Sequence, residues 1–120
     1  MAKFILADEP TFKWPVDIRV PGTNGAFQTL RITCRFKVLP LDHFERKADQ
    51  EASVDDTNKD FLRDALIGWD EGDVSNEDGQ PVPFNADTRD QLLNIPYALR
   101  DIFAAYREAV FRGEKAKRGN

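Results

Sequence analysis

Two runs of strict alternation around a single turn constrain this chain more than any other feature. Phe12, Trp14, Val16, Ile18 and Val20 point one way, while Lys13, Pro15, Asp17 and Arg19 point the other. Period two over such a length is the mark of a half-buried strand. Pro21-Gly22-Thr23-Asn24-Gly25 then supplies residues that reverse a chain. Alternation resumes with Leu30, Ile32, Cys34, Phe36 and Val38 inward and Arg31, Thr33, Arg35 and Lys37 outward. The pattern predicts a β-hairpin with one apolar face, and because an isolated hairpin is marginal in water, later elements must cover that face. Pro15 has no N–H for a ladder, which places the first strand at a sheet edge or puts a bulge at that point.

The period changes after residue 40. Leu41 to Glu51 reads as a polar helix with a thin stripe of Leu41, Phe44 and Ala48. Ser53 to Asn58 reads as a loop ending in an N-cap at Asp56 or Thr57. The following helix sets Phe61, Leu62, Ala65, Leu66 and Trp69 at helical spacing, with Gly68 close to its end. Residues 70–80 are almost free of apolar side chains and read as an exposed loop. Asn85 is a natural cap for a helix running to about Leu93, and Pro96 suits the first turn of the next. That last helix carries the strongest stripe, Leu99, Ile102, Phe103, Tyr106 and Val110, with Gly113 as its stop and a charged Glu114–Asn120 tail beyond. Strands followed by helices describe an α+β domain, an N-terminal antiparallel β-hairpin in a small sheet packed against a C-terminal helical bundle. The expected organisation is a single domain over 1–120: hairpin 1–40, helical part 41–113, flexible tail 114–120.

Composition narrows the function classes. The chain has 120 residues, 41% hydrophobic and 32% charged, enough for one small core. No apolar run approaches the roughly 20 residues that span a bilayer, and no basic-then-apolar leader is visible, so a cytoplasmic location and no membrane partner are expected. Residues 1–40 carry 6 Lys and Arg against 3 Asp and Glu, residues 41–100 carry 6 against 15, and residues 101–120 carry 5 against 3. The acidic middle argues against general nucleic-acid binding.

No residue pattern announces chemistry. One cysteine and one histidine cannot form an internal disulfide or a Cys/His metal site. Cys34 falls on the apolar face of a strand, where a buried, inert thiol is expected. The carboxylates of Asp70–Gly79 suggest a calcium loop, yet aligning either Gly72 or Gly79 with the required glycine puts Ile67 or Val74 at the first ligand position. His43 lies between Asp42 and Glu45 with no nucleophile coupled to it, and reads as a surface histidine. No catalytic residues, cofactor or metal are expected, and the chain does not read as an enzyme. Aromatic residues make up 11% of the chain, more than a small core must hide. Most of Trp69, Val82, Phe84, Tyr97, Phe103 and Tyr106 are expected in the core of a chain this small, and the surplus makes them candidates to grip an apolar segment of a partner. Arg31 and Arg35, on the outer face of the hairpin, are candidates to meet an acidic one.

The order of these pieces resembles a known family. Phe61-Leu62 leading to Ile67-Gly68-Trp69, then Asn76-Glu77-Asp78-Gly79, Pro81-Val82-Pro83-Phe84-Asn85, Leu92-Leu93, Ile95-Pro96 and Ile102 to Ala109 resemble the tail assembly chaperones of tailed bacteriophages and prophages. Phe12-Lys-Trp-Pro-Val-Asp-Ile-Arg-Val-Pro-Gly and Phe36-Lys-Val-Leu are similar to the hairpin of part of that family. The Asp70–Val74 stretch is longer than that pattern. The resemblance implies a protein that binds the tape measure protein, keeps its apolar helices from aggregating, helps recruit tail tube protein, and is absent from the finished tail. It also implies a longer product made by programmed frameshifting near Glu114–Arg118. The exposed hairpin edge or the last helix allows a homo-oligomer. A head-tail joining or tail-completion protein is the alternative.

Overall fold

The computed structural model describes residues 3–43 and 53–111. Three strands, β1 (Thr11–Pro21), β2 (Phe27–Lys37) and β3 (Leu66–Trp69), form an antiparallel sheet in the order β1-β2-β3. Three helices follow the hairpin: α1 (Val54–Ala65) before β3, then α2 (Ala86–Leu93) and α3 (Pro96–Phe111) after it. The α+β architecture is the one the alternation demanded. Leu41–His43 is also helical. The remainder of that expected helix, with Phe44 and Ala48, lies outside the described residues, as do Gly113 and Glu114–Asn120.

The hairpin keeps one register from Thr11↔Lys37 to Pro21↔Phe27. Its turn closes with Gly22 N–H donating to the Ala26 carbonyl at 2.7 Å. A Cβ on Gly22 would stand 2.8 Å from that same oxygen, so only glycine lets the turn close so tightly. Pro15 sits opposite Thr33 on the edge strand. Thr33 sends its N–H to Asp73 Oδ2 at 2.7 Å and its carbonyl accepts from Asp70 N–H at 3.0 Å, both on the side away from β1. Pro15 and Thr33 are therefore a non-hydrogen-bonded pair, and the missing proline donor interrupts no ladder.

One apparent helix ending is a strand. The apolar set Phe61, Leu62, Ala65, Leu66, Trp69 fits helical spacing, but α1 stops at Ala65 and Leu66–Trp69 pairs with β2. Leu66 opposes Phe36 and Trp69 opposes Cys34, with a bulge between Arg35 and Phe36. A short apolar segment carries no decisive period, and the unpaired side of β2 outcompetes one more helical turn. α1 also begins earlier than Asp56 or Thr57: Ser53 is its cap, accepting from Asp56 N–H at 3.0 Å. Asn85 caps α2 with a full capping box, exchanging bonds of 2.9 Å with Thr88 in both directions.

The core lies between the inner face of the sheet and the helices. Val16, Ile18, Ile32, Cys34 and Phe36 from the sheet meet Phe61, Leu62, Leu93, Leu99, Ile102 and Tyr106 from the helices, all buried. Tyr106 is its hub: its ring lies 5.4 Å from Phe36, 5.2 Å from Phe61 and 6.3 Å from Phe12. Its hydroxyl accepts from Leu39 N–H at 3.2 Å, so the chain leaving β2 is tied to α3. Leu30 holds its expected inner-face position yet is 45% exposed. β3 pairs only as far along as Cys34 and α3 packs against β1, which leaves the turn-side half of β2 without cover.

Candidate functional site

The side chains singled out from sequence fall in three separate places. Trp69, at the end of β3, donates its indole N–H to the Val82 carbonyl at 3.1 Å and meets Phe84 edge-on at 4.9 Å between centroids. With Pro81 and Pro83 these residues line a shallow cleft at the base of the acidic loop. That loop is an ordered excursion: Asn76 Oδ1 accepts from the N–H groups of Asp78 and Gln80, Ser75 bridges to Pro81, and Val82 N–H donates to the Val74 carbonyl. The Asp70–Gly79 carboxylates thus ride on a small turn that Trp69 clamps. Among the described residues, no three His, Cys, Asp or Glu side chains gather closely enough to hold a metal ion.

Phe103 lies elsewhere, in an open groove of about 820 Å³ between α1 and α3. Leu41, Val54, Ala104 and Phe111 line it with Phe103, and Leu41 and Val54 are 69% and 75% exposed. Asp55 and Arg100 bridge its rim at 2.9 Å. The hydrogen bond from Arg100 holds the Asp55 carboxyl below its ordinary range, and Asp55 raises Arg100 in return. The pair is exposed and defines a polar border more than it adds stability. Tyr97 stands partly exposed in the first turn of α3, whereas Tyr106 is sealed in the core. The Phe103/Tyr106 stripe therefore splits between groove and core.

Arg31 and Arg35 occupy the outer face of the sheet, as the alternation placed them. Arg31 grips Asp17 with two bonds, 2.7 and 3.0 Å, and this contact raises its pKa. Lys13 pairs with Asp70 at 3.1 Å and Arg19 lies 4.5 Å over the Phe27 ring. This face is a lattice of local pairs, with Arg35 beside Gly68 at the β2/β3 junction.

Two features read otherwise from sequence. His43 is half-buried, with Nε2 3.0 Å from Asp64 Oδ2 and its ring against Phe61; a partner 21 residues away could not be read from its neighbours. Leu41, read as part of a thin helical stripe, is exposed in the groove, and Val54 and the exposed Phe4-Ile5-Leu6 were not singled out, although these fall outside every amphipathic stripe, which was the available signal. Cys34 is fully buried, and burial, with the nearby carboxylates of Asp73 and Asp70, pushes its thiol up to about 12. It is not a nucleophile at neutral pH.

This architecture offers apolar and charged surfaces. A family model described as phage tail assembly chaperone matches residues 1–120, the whole chain. The chain belongs to the phage tail assembly chaperone family. No curated protein and no solved structure matches it. A chaperone of this family has an assembly role, with tail proteins as its partners. No helix among the described residues is long and apolar enough to cross a membrane. The exposed apolar groove and the split aromatic set are the features of this chaperone that suit contact with another polypeptide.

Proposed function

We infer that this chaperone binds the tape measure protein before and during tail assembly, in the cytoplasm of the bacterial host. It keeps apolar helices of that protein from aggregating and helps bring tail tube subunits to it. The observation that carries this reading is the match of the whole chain to the tail assembly chaperone family. The α1/α3 groove supplies the physical means. Its floor of Leu41, Val54 and Ala104 accepts side chains at i, i+3 or i+4 and i+7 of an amphipathic helix, and Asp55 and Arg100 meet the polar flank. Wet, charged rims beside a modest apolar floor favour binding that can be reversed when tube subunits arrive.

Co-expression with the tape measure protein of the same gene cluster tests the reading. The tape measure protein should remain soluble with the wild-type chain and precipitate with a Val54→Asp/Ala104→Asp variant that folds normally. Equal solubility with and without the chaperone overturns it. Recovery of the chain from finished, purified virions would instead support a head-tail joining or tail-completion component. A longer, frameshifted product belongs to the same reading, and mass spectrometry of the native protein would detect it.

A further inference from the structure

One side of the sheet is left open, and the chain carries a segment suited to close it. Residues of β2 with odd numbers form non-hydrogen-bonded pairs with β1, as Thr33 demonstrates by directing both backbone groups to Asp70 and Asp73. By period two, Phe27, Thr29 and Arg31 direct their N–H and carbonyl groups to that same side. β3 reaches only Cys34 to Phe36, and among the described residues nothing pairs with the backbone groups that Phe27, Thr29 and Arg31 direct away from β1. Exposed Phe27 and Leu30 flank this edge on its two faces. The opposite edge is blunted: Pro15 has no donor, and Arg19 N–H is taken by Asp101 Oδ2 at 2.9 Å.

Ahead of β1, Phe4, Ile5 and Leu6 are 90%, 79% and 91% exposed, in a stretch with no regular structure of its own. Three consecutive large apolar side chains standing in water call for a partner. They cannot reach their own open edge. Pro10 is fixed beside Val38, whose N–H donates to its carbonyl at 2.9 Å, and Glu9 lies 3.9 Å from Lys37. Phe4, six residues from Pro10, extends at most about 20 Å from it. Arg31, the near end of the open edge, is seven residues from Val38, about 23 Å along β2, and the segment must also cross two strand spacings of about 4.8 Å each. Only another copy can bring the segment there.

We propose that this chain self-associates head to tail by strand addition, residues 3–7 of one copy pairing with the open edge Phe27–Arg31 of the next. The added strand places Phe4 and Leu6 on one face and Ile5 on the other, so both Leu30 and Phe27 gain apolar neighbours. Such a contact is heterologous and propagates, because each copy offers one segment and one edge. It does not depend on capture of the tape measure protein.

Sedimentation of the purified full chain over a concentration series tests the proposal. The wild type should form dimers and longer species. Phe4→Asp/Leu6→Asp alters only exposed side chains, and Thr29→Pro removes an outward N–H that the hairpin ladder does not use. Each should weaken association about tenfold or more. Mixed together, the two variants should form dimers and nothing longer, since the segment variant keeps its edge and the edge variant keeps its segment. Circular dichroism verifies folding, and Leu30→Lys replaces Thr29→Pro if proline unfolds the hairpin. A wild type that stays monomeric at high concentration, variants that associate as the wild type does, or a mixture that does not dimerise overturns the proposal.

Discussion

At the scale of single residues, the buried titratable groups make the account testable by pH alone. Cys34 holds its proton more tightly in the folded chain, about 12 against an ordinary 9.0, and burial also raises Tyr106 above its ordinary 10.0. Between these values the unfolded chain binds fewer protons, so stability is full below about pH 9 and falls as pH rises toward about 12. Urea midpoints measured across this range should follow that course, with a shallower alkaline fall in Cys34→Ala. A thiol reagent at pH 8 should label Cys34 only after denaturant is added. Tyr106→Phe removes the acceptor for Leu39 N–H and should lower stability by about 1 kcal/mol, whereas Tyr106→Ala opens the core and should cost about 3–5 kcal/mol. Equal losses in the two variants would show that the ring is not the hub its contacts imply.

Among the elements, the caps and the third strand carry the most specific expectations. Asn85→Ala removes the side-chain arm of a capping box, leaving the Asn85 N–H bond to Thr88 Oγ1, and should cost about 1 kcal/mol; Ser53→Ala should cost about as much, both read from denaturation midpoints. Trp69→Ala removes the indole bond to Val82 and the contact with Phe84, so amides of residues 74–84 should exchange faster while those of α3 keep their protection. The hairpin, the Asn85 cap and the start of α3 at Pro96 were legible because each rests on local chemistry: alternation, a side-chain acceptor, a fixed φ. β3 was not, because Leu66 and Trp69 satisfy a helical stripe and a strand equally well, and only the vacant side of β2 decides between them. Ser53 was passed over for Asp56 and Thr57, although it precedes the first helical residue and Asp56 then serves as the N3 donor. Of the candidate binding residues, Arg31 and Arg35 lie on the face the alternation assigned, while Tyr106 and Phe103, neighbours on one stripe, part between core and groove. Periodicity separates the faces of a helix; it does not say which part of the inward face another helix will cover.

For the whole molecule, the arrangement among the described residues is a sheet with one blunted and one partly open edge, a helical layer bearing a groove, and a clamped acidic loop. Sealed polar groups are absent from the described core, and in the proposed reading the exposed apolar area on α1 and α3 holds the partner. Capture of an apolar helix there should bury that area and produce a negative heat-capacity change. Titration calorimetry of the folded chain with an amphipathic helical fragment of the tape measure protein, at two temperatures, measures this directly. The account predicts saturable binding with a negative heat-capacity change that Val54→Asp abolishes. A folded chain that gives no saturable heat, or binds Val54→Asp and wild type alike, contradicts it.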